Sequence, residues 1–104
     1  HFHDLVDATQ QVLEDIFDDS GLDVDLQNSA GVLTVKFENG KSLIFSRQEP
    51  LLQLWLAAPG GGFHFDYDEK LSAWKRDKSD ELLSEMVFHL TKDHSGAELD
   101  FEEI

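Results

Sequence analysis

Acidic side chains crowd one predicted helix near the start of the chain. The segment FHDLVDATQQVLEDIFDD (2–19) holds six carboxylates and no Lys or Arg. The C-terminal end of a helix carries a partial negative charge, so each exposed carboxylate there costs about 0.3–1 kcal/mol. Like-charge pairs at i,i+4 add about 0.2–0.5 kcal/mol of repulsion. Four carboxylates nevertheless lie in the last two turns: Glu14, Asp15, Asp18 and Asp19. This concentration indicates a cationic partner, either a metal ion or a basic protein surface.

The negative charge continues beyond the helix. Asp23 and Asp25 alternate with Val24 and Leu26, which predicts a strand with both carboxylates on one face. Carboxylate oxygens bind iron ions and Ca²⁺, so we expect helix and strand to form one surface that binds several ions weakly, depending strongly on ionic strength. A calcium loop is excluded, because the sixth position from Asp23 is Asn28 rather than Gly. The alternative is a solvated face that only keeps the protein soluble.

Composition fits one folded domain, residues 1–104, which we expect to be monomeric. Hydrophobic residues make up 40% of the chain, including eight Phe and two Trp, enough for a single core. The net charge of −14 disfavours binding to nucleic acids and to anionic membranes. The chain has no Cys, which excludes disulfides, Cys nucleophiles and thiolate ligation of a metal or cluster. No apolar run of about 20 residues and no basic-then-apolar leader is visible, so we expect a cytoplasmic protein.

The hydrophobic pattern predicts helix, six strands and helix in that order. The first helix should end at Ser20-Gly21, and the second should begin near an N-cap at Ser79 and end near Ser95-Gly96. The connections between strands are too short for crossover helices, so the fold class is α+β: a two-layer α/β sandwich with a mainly antiparallel six-stranded sheet and both helices on one face. The acidic tail either fills the gap between the helices, through Leu99, Phe101 and Ile104, or is frayed. The predicted strands cover 23–27, 32–37, 43–47, 51–57, 62–67 and 71–76, with a turn over 28–31 between the first two.

Alternation in the fourth predicted strand places a tryptophan on the uncovered face of the sheet. If Leu52, Leu54 and Leu56 face the helices, Gln53 and Trp55 point outward. An exposed Trp among polar groups is a candidate anchor for a protein partner. The alternative is an aromatic side chain packed against its neighbours on the sheet surface.

The other aromatic and imidazole side chains are weaker signals. Trp74 is expected in the core or on the sheet, and His64 is expected to face solvent because it alternates with two Phe. His89 and His94 are five residues apart, which does not match the i,i+4 spacing of helical metal chelation, so we expect them on a solvated helix face. His3 is a candidate nitrogen ligand beside a carboxylate one turn along the helix.

The central run GVLTVKFENGKSLIFSRQEPLLQLWLA (31–57), followed by GGFHFDY (61–67) and Trp74, closely resembles the frataxin family, and the resemblance extends over nearly the whole chain. Its most specific element is the stretch RQEPLLQLWL (47–56). The resemblance, closest to bacterial members, implies a frataxin-like fold and a small protein that binds Fe²⁺ or Fe³⁺ weakly. It also implies binding to the cysteine desulfurase of iron–sulfur cluster assembly, with the scaffold protein as a further candidate partner, and a role as iron donor, sensor or regulator.

The resemblance also implies which residues carry the function. The family's acidic ridge corresponds here to Glu14, Asp15, Asp18, Asp19, Asp23 and Asp25, and His3 and Asp7 match further positions linked to metal binding. The eukaryotic family has Asn at the position of Ser46 and Arg at that of His64, so the activation behaviour of its eukaryotic members does not transfer directly. The residues expected to contact a protein partner are Glu14, Asp18, Asp19, Gln48, Gln53 and Trp55.

Two other function classes remain open at this stage. One is an acidic inhibitor that mimics nucleic acid or another polyanion and binds a basic protein, with no metal role. The other is an enzyme that oxidises iron at paired carboxylates. No Glu-x-x-His motif of the kind used by four-helix di-iron sites occurs in the chain, so we expect a protein without catalytic activity.

Overall fold

Six antiparallel strands follow one another across a single sheet, in sequence order, in the computed structural model of residues 1–104. Every neighbouring pair is antiparallel, which confirms the predicted α+β sandwich. The elements are α1 (Phe2–Asp19), β1 (Val24–Ser29), β2 (Val32–Phe37), β3 (Ser42–Gln48), a 3₁₀ turn (Glu49–Leu51), β4 (Gln53–Ala58), β5 (Gly61–Asp68), β6 (Ala73–Arg76) and α2 (Leu83–Ser95).

One apolar core joins the inner face of the sheet to both helices. It contains 17 buried side chains drawn from α1, the strands, α2 and the C-terminal tail. Two buried polar side chains of α1 are hydrogen-bonded. The Trp74 indole N–H donates to the Thr9 hydroxyl at 2.8 Å. The buried Gln10 amide donates to the carbonyl oxygens of Gly31 and Phe45 at 2.9 and 3.1 Å. These bonds fix α1 on the sheet and so leave its opposite, acidic face toward solvent.

The start of β4 differs from the prediction. We expected a strand over 51–57 with Leu52 facing the helices, but Leu51 lies in the 3₁₀ turn and Leu52 has a left-handed backbone with φ of 52°. Both side chains are exposed. Pro50 sits at the start of the turn, where its fixed φ suits a helical turn. The start of the strand was wrongly predicted because the apolar run continues through this turn without a change in composition.

Three other expected boundaries are corrected. The turn expected over 28–31 is shorter, because β1 continues to Ser29. Leu71 and Ser72 precede β6 in a turn rather than beginning it, since Ser72 has a φ of 50°. The predicted N-cap Ser79 does not cap α2; its hydroxyl accepts from the Glu81 N–H instead. The segment first pairs with β6 through Arg76 N–H and Glu81 carbonyl at 2.7 Å, which delays the start of the helix.

The C-terminal tail packs onto the core. Phe101 and Ile104 are buried, and the Phe101 ring lies 5.5 Å from the Phe17 ring of α1, centroid to centroid. Leu99 is partly buried. Of the two alternatives for the tail, packing is therefore the one observed. Neither helix is long and apolar enough to cross a membrane.

Candidate cation-binding and docking surfaces

The carboxylates of the acidic ridge form no ion pair within the chain. None of its six carboxylates lies within 4.0 Å of a Lys, Arg or His nitrogen, although seven such pairs occur elsewhere in the chain. Five of the six side chains are exposed, and Glu14 is half-buried. The last turn of α1 has no basic residue, and Gly21 closes the helix with a φ of 77°. The unfavourable charge predicted at this helix end is therefore present and uncompensated.

The ridge does not form a closed metal site. No group of three or more His, Asp or Glu side chains is close enough to hold one ion. The expected convergence of helix and strand is therefore not observed at the scale of a coordination shell. Asp25 lies on the outer face of the sheet, opposite Lys36 in the β1–β2 register, whereas α1 covers the inner face. Carboxylates arranged in this way suit hydrated cations held weakly through single oxygen ligands, rather than an ion in a closed coordination shell.

His3 and Asp7 belong to a polar cluster that links α1 to the end of β3. The Glu49 carboxylate lies 3.0 Å from His3 Nδ1, and the Arg47 guanidinium lies 2.9 Å from His3 Nε2. Arg47 also reaches Asp7 Oδ1 at 3.4 Å and Glu49 Oε1 at 2.9 Å. The two candidate ligands are thus adjacent, and a guanidinium already contacts both. No sequence pattern signals this contact, because Arg47 lies 44 positions from His3 and 40 positions from Asp7.

Trp55 lies on the outer face of the sheet, as its alternation with the buried Leu54 and Leu56 requires. Its indole stacks on the His64 ring across the β4–β5 pair, with centroids 4.2 Å apart and planes 12° apart. The indole N–H donates to Gln53 Oε1 at 2.9 Å. Trp55 therefore packs against its neighbours on the sheet, as the second interpretation expected, and it is half-buried, so part of the side chain remains accessible.

The surroundings of Trp55 extend the polar surface along three strands. The Gln53 amide donates to Asp66 Oδ1 at 3.2 Å, and Gln48 stands opposite Gln53 in the β3–β4 register. Ser46 and His64 flank Trp55 directly. The contact with His64 was missed because register between strands is not readable from the sequence. The Trp55 indole thus lies at the centre of a polar surface, held by its stack on His64 and its hydrogen bond to Gln53.

His94 does not lie on a solvated helix face as expected. It is half-buried, its ring is 5.7 Å from that of Phe37, and its Nε2 atom is buried without a hydrogen-bond partner. The Asn39 amide of the β2–β3 turn donates to its carbonyl oxygen at 3.0 Å. His94 therefore helps to join the end of α2 to the sheet, whereas His89 is exposed as expected.

Comparison with known proteins agrees with this geometry. The model of the frataxin-like domain matches residues 1–97. The chain belongs to the frataxin-like family. Relatives from Pseudomonas fluorescens strain SBW25 and Pseudomonas syringae pv. tomato, each named iron-sulfur cluster assembly protein CyaY, are 74% identical over 103 residues, covering 99% of this chain and 94% of theirs.

A solved structure extends the family relationship to the fold. Frataxin from Psychromonas ingrahamii, described as a member of the CyaY protein family, superposes with a TM-score of 0.89 at 35% identity. The match covers 96% of this chain and 93% of that one. The resemblance to frataxin read from the sequence is thereby confirmed, both as family and as fold.

Proposed function

We propose that this protein assists iron–sulfur cluster assembly by binding the cysteine desulfurase and by carrying or sensing weakly bound iron on its acidic ridge. The relatives named for iron-sulfur cluster assembly support a role in that process. The observation that carries it is that all six ridge carboxylates lack an ion-pair partner within the chain. A surface kept unpaired in this way is available to a cation from outside.

The unpaired charge suits two kinds of positive ligand. Iron ions accept carboxylate oxygens, and because the ridge holds no closed shell, binding should be weak and should use water as remaining ligands. A basic patch on the desulfurase is attracted over about 10 Å at moderate salt, which speeds and orients its approach. Since both ligands use the same carboxylates, iron loading should weaken docking, and the protein would thereby report iron supply to the desulfurase.

The outer face of the sheet supplies the second contact. The Trp55 indole is stacked and hydrogen-bonded before any partner arrives, so little side-chain freedom is lost on binding. Trp is over-represented among residues that dominate interface energies. We therefore propose that the ridge provides the attraction and that Trp55, with Gln48 and Gln53, provides the anchoring contact. The desulfurase is the first candidate partner for this contact and the scaffold protein the second.

Neutral isosteres on the ridge test this proposal directly. The triple variant Glu14→Gln, Asp18→Asn, Asp19→Asn should lower desulfurase affinity at about 0.1 M salt by at least about tenfold, because three attractive charges are lost. The affinity for Fe²⁺, measured by calorimetry under anaerobic conditions, should also fall in this variant.

A matched control separates a local surface from total charge. The triple variant Glu69→Gln, Asp80→Asn, Glu103→Gln changes net charge equally, and these three exposed carboxylates form no ion pair. It should leave both affinities within about twofold, since distant surface charges are largely screened. Equal losses in the two variants would contradict a specific role of the ridge. Normal desulfurase binding by a protein that takes up no Fe²⁺ would instead favour the acidic inhibitor without a metal role.

A further inference from the structure

The turn between β2 and β3 contains Asn39 followed by Gly40, a dipeptide that can lose its side-chain amide without an enzyme. The Gly40 backbone nitrogen attacks Asn39 Cγ, and a nitrogen–Cγ bond forms. The proton of that nitrogen passes through water to the departing amide, which leaves as ammonia when the Cγ–Nδ2 bond breaks. Water then opens the cyclic imide at either carbonyl, which leaves aspartate or isoaspartate. Gly40 favours the attack because it has no side chain to block the approach.

Three hydrogen bonds engage the reacting groups with other partners in the folded protein. Asn39 Nδ2 donates to the carbonyl oxygen of His94 at 3.0 Å, and Asn39 Oδ1 accepts from the Lys41 N–H at 3.0 Å. The attacking nitrogen of Gly40 donates to the Phe37 carbonyl oxygen at 2.9 Å. Two of these bonds lie within the turn, whereas the bond to His94 joins it to the end of α2. Because the side chain must rotate before Cγ can meet the nitrogen, cyclisation requires the bond to α2 to break.

The end of α2 is poorly hydrogen-bonded where the turn attaches to it. The chain has two buried side-chain polar atoms without a hydrogen-bond partner, Thr91 Oγ1 and His94 Nε2, and both belong to the last five residues of α2 (Leu83–Ser95). A buried polar atom without a partner costs free energy, which is recovered when the segment opens to water. Local opening should therefore cost less here than elsewhere in the core. The element that protects Asn39 is thus a weakly held one.

We propose that Asn39 is a latent deamidation site, protected while the end of α2 is docked, and that the reaction makes undocking permanent. Both products replace the Nδ2 donor by a carboxylate oxygen, which cannot donate to the His94 carbonyl. The new charge also lies beside the C-terminal end of α2, where the helix already carries partial negative charge. It faces a cleft of about 280 Å³ that Asp23 and Glu38 line as well. This inference is independent of the proposed function, because it involves neither iron nor the desulfurase.

The rate of deamidation tests the protection. The unmodified protein is kept at mildly alkaline pH, either folded or unfolded in guanidinium chloride, and peptide mapping by mass spectrometry measures the deamidated fraction at Asn39. The folded protein should react at least about tenfold more slowly than the unfolded one, because only its open form reacts. Equal rates would overturn the inference, and this comparison needs no variant.

Two glycine variants show whether α2 gives the protection. Gly96 caps α2 and Gly21 follows α1, both with a φ of 77°, and a Cβ at either position would meet no atom within 4 Å. Alanine disfavours this left-handed conformation, so Gly96→Ala should loosen the end of α2 and speed deamidation about three- to tenfold. Gly21→Ala imposes the same strain next to α1 and should change the rate by less than about twofold. Equal acceleration by both variants, which indicates reaction through global unfolding, would refute the role of α2, as would no acceleration by Gly96→Ala.

The variant Asn39→Asp tests the permanence, because it reproduces one of the two products. The Gly96 N–H donates to the Lys92 carbonyl oxygen at 2.8 Å, so its hydrogen exchange reports whether the last turn of α2 is closed. This exchange should be at least about threefold faster in Asn39→Asp than in the unmodified protein. The control Asn28→Asp, at an exposed position in β1, adds the same charge and should alter the exchange by less than about twofold. Unchanged exchange in Asn39→Asp, or equal acceleration in both variants, would contradict a permanent undocking.

Discussion

At the scale of single residues, Trp55 combines a large apolar surface with a fixed orientation. Stacking on His64 and a hydrogen bond to Gln53 hold the indole before any partner is present. The sequence predicted that Trp55 would point outward, because period-two alternation with buried leucines determines the face. It did not predict the stack on His64 or the contact of Arg47 with His3, since both depend on register and on packing between distant segments.

Removal of the indole should affect docking far more than folding. Trp55→Ala is expected to weaken desulfurase binding by about tenfold or more, because interface energy is concentrated in a few anchors. The melting temperature should fall only modestly, since the side chain lies outside the 17-residue core. Surface plasmon resonance measures the affinity for the desulfurase, and thermal unfolding measures the melting temperature of the same variant. Leu71→Ala, which truncates an exposed apolar side chain in the β5–β6 turn, is the control. Equal affinity of Trp55→Ala and the unmodified protein would rule out Trp55 as an anchor.

At the scale of elements, α1 keeps an arrangement that weakens it. Its buried face packs on β3 and the core through Val6, Leu13 and Phe17, and that packing outweighs the repulsion along its exposed face. The helix bounds were predictable from the amphipathic period, as were β2 and β3 from their alternation and the Asn39-Gly40 turn. The β3–β4 turn and the start of α2 were not predictable. Leucines continue through the β3–β4 turn without a break in the apolar pattern. The start of α2 is delayed because Glu81 first pairs with β6.

The arrangement predicts that stability rises when charge in the last turn is reversed. Asp19→Lys should increase the free energy of unfolding by about 0.5–1.5 kcal/mol, because it replaces an unfavourable interaction with the helix end and a repulsive i,i+4 pair by favourable ones. Urea unfolding at low salt measures the change. The matched charge reversal Glu69→Lys, in the β5–β6 turn, should stay within about 0.5 kcal/mol. Destabilisation by Asp19→Lys, or the same gain in both variants, would contradict a local conflict at the end of α1.

At the scale of the whole molecule, the acidic ridge and the uncovered face of the sheet are two separate candidate docking surfaces. The net charge of −14 makes attraction to basic partners long-ranged and sensitive to salt. The two-layer sandwich leaves one sheet face uncovered, and that face carries Trp55. Composition alone predicted that a partner would be positively charged. The family resemblance is the basis for proposing the cysteine desulfurase as that partner. The absence of a closed shell among the ridge carboxylates required the arrangement in space.

One titration tests the central claim, that uncompensated charge on the ridge serves both iron and the desulfurase. Fe²⁺ is added anaerobically to isotope-labelled protein, and the desulfurase is then added to the same sample. Resonances along 14–25 should be perturbed by both ligands, and the desulfurase should displace the iron-dependent changes as it binds. Perturbation of separate residue sets, or simultaneous saturation by both ligands without competition, would contradict the account.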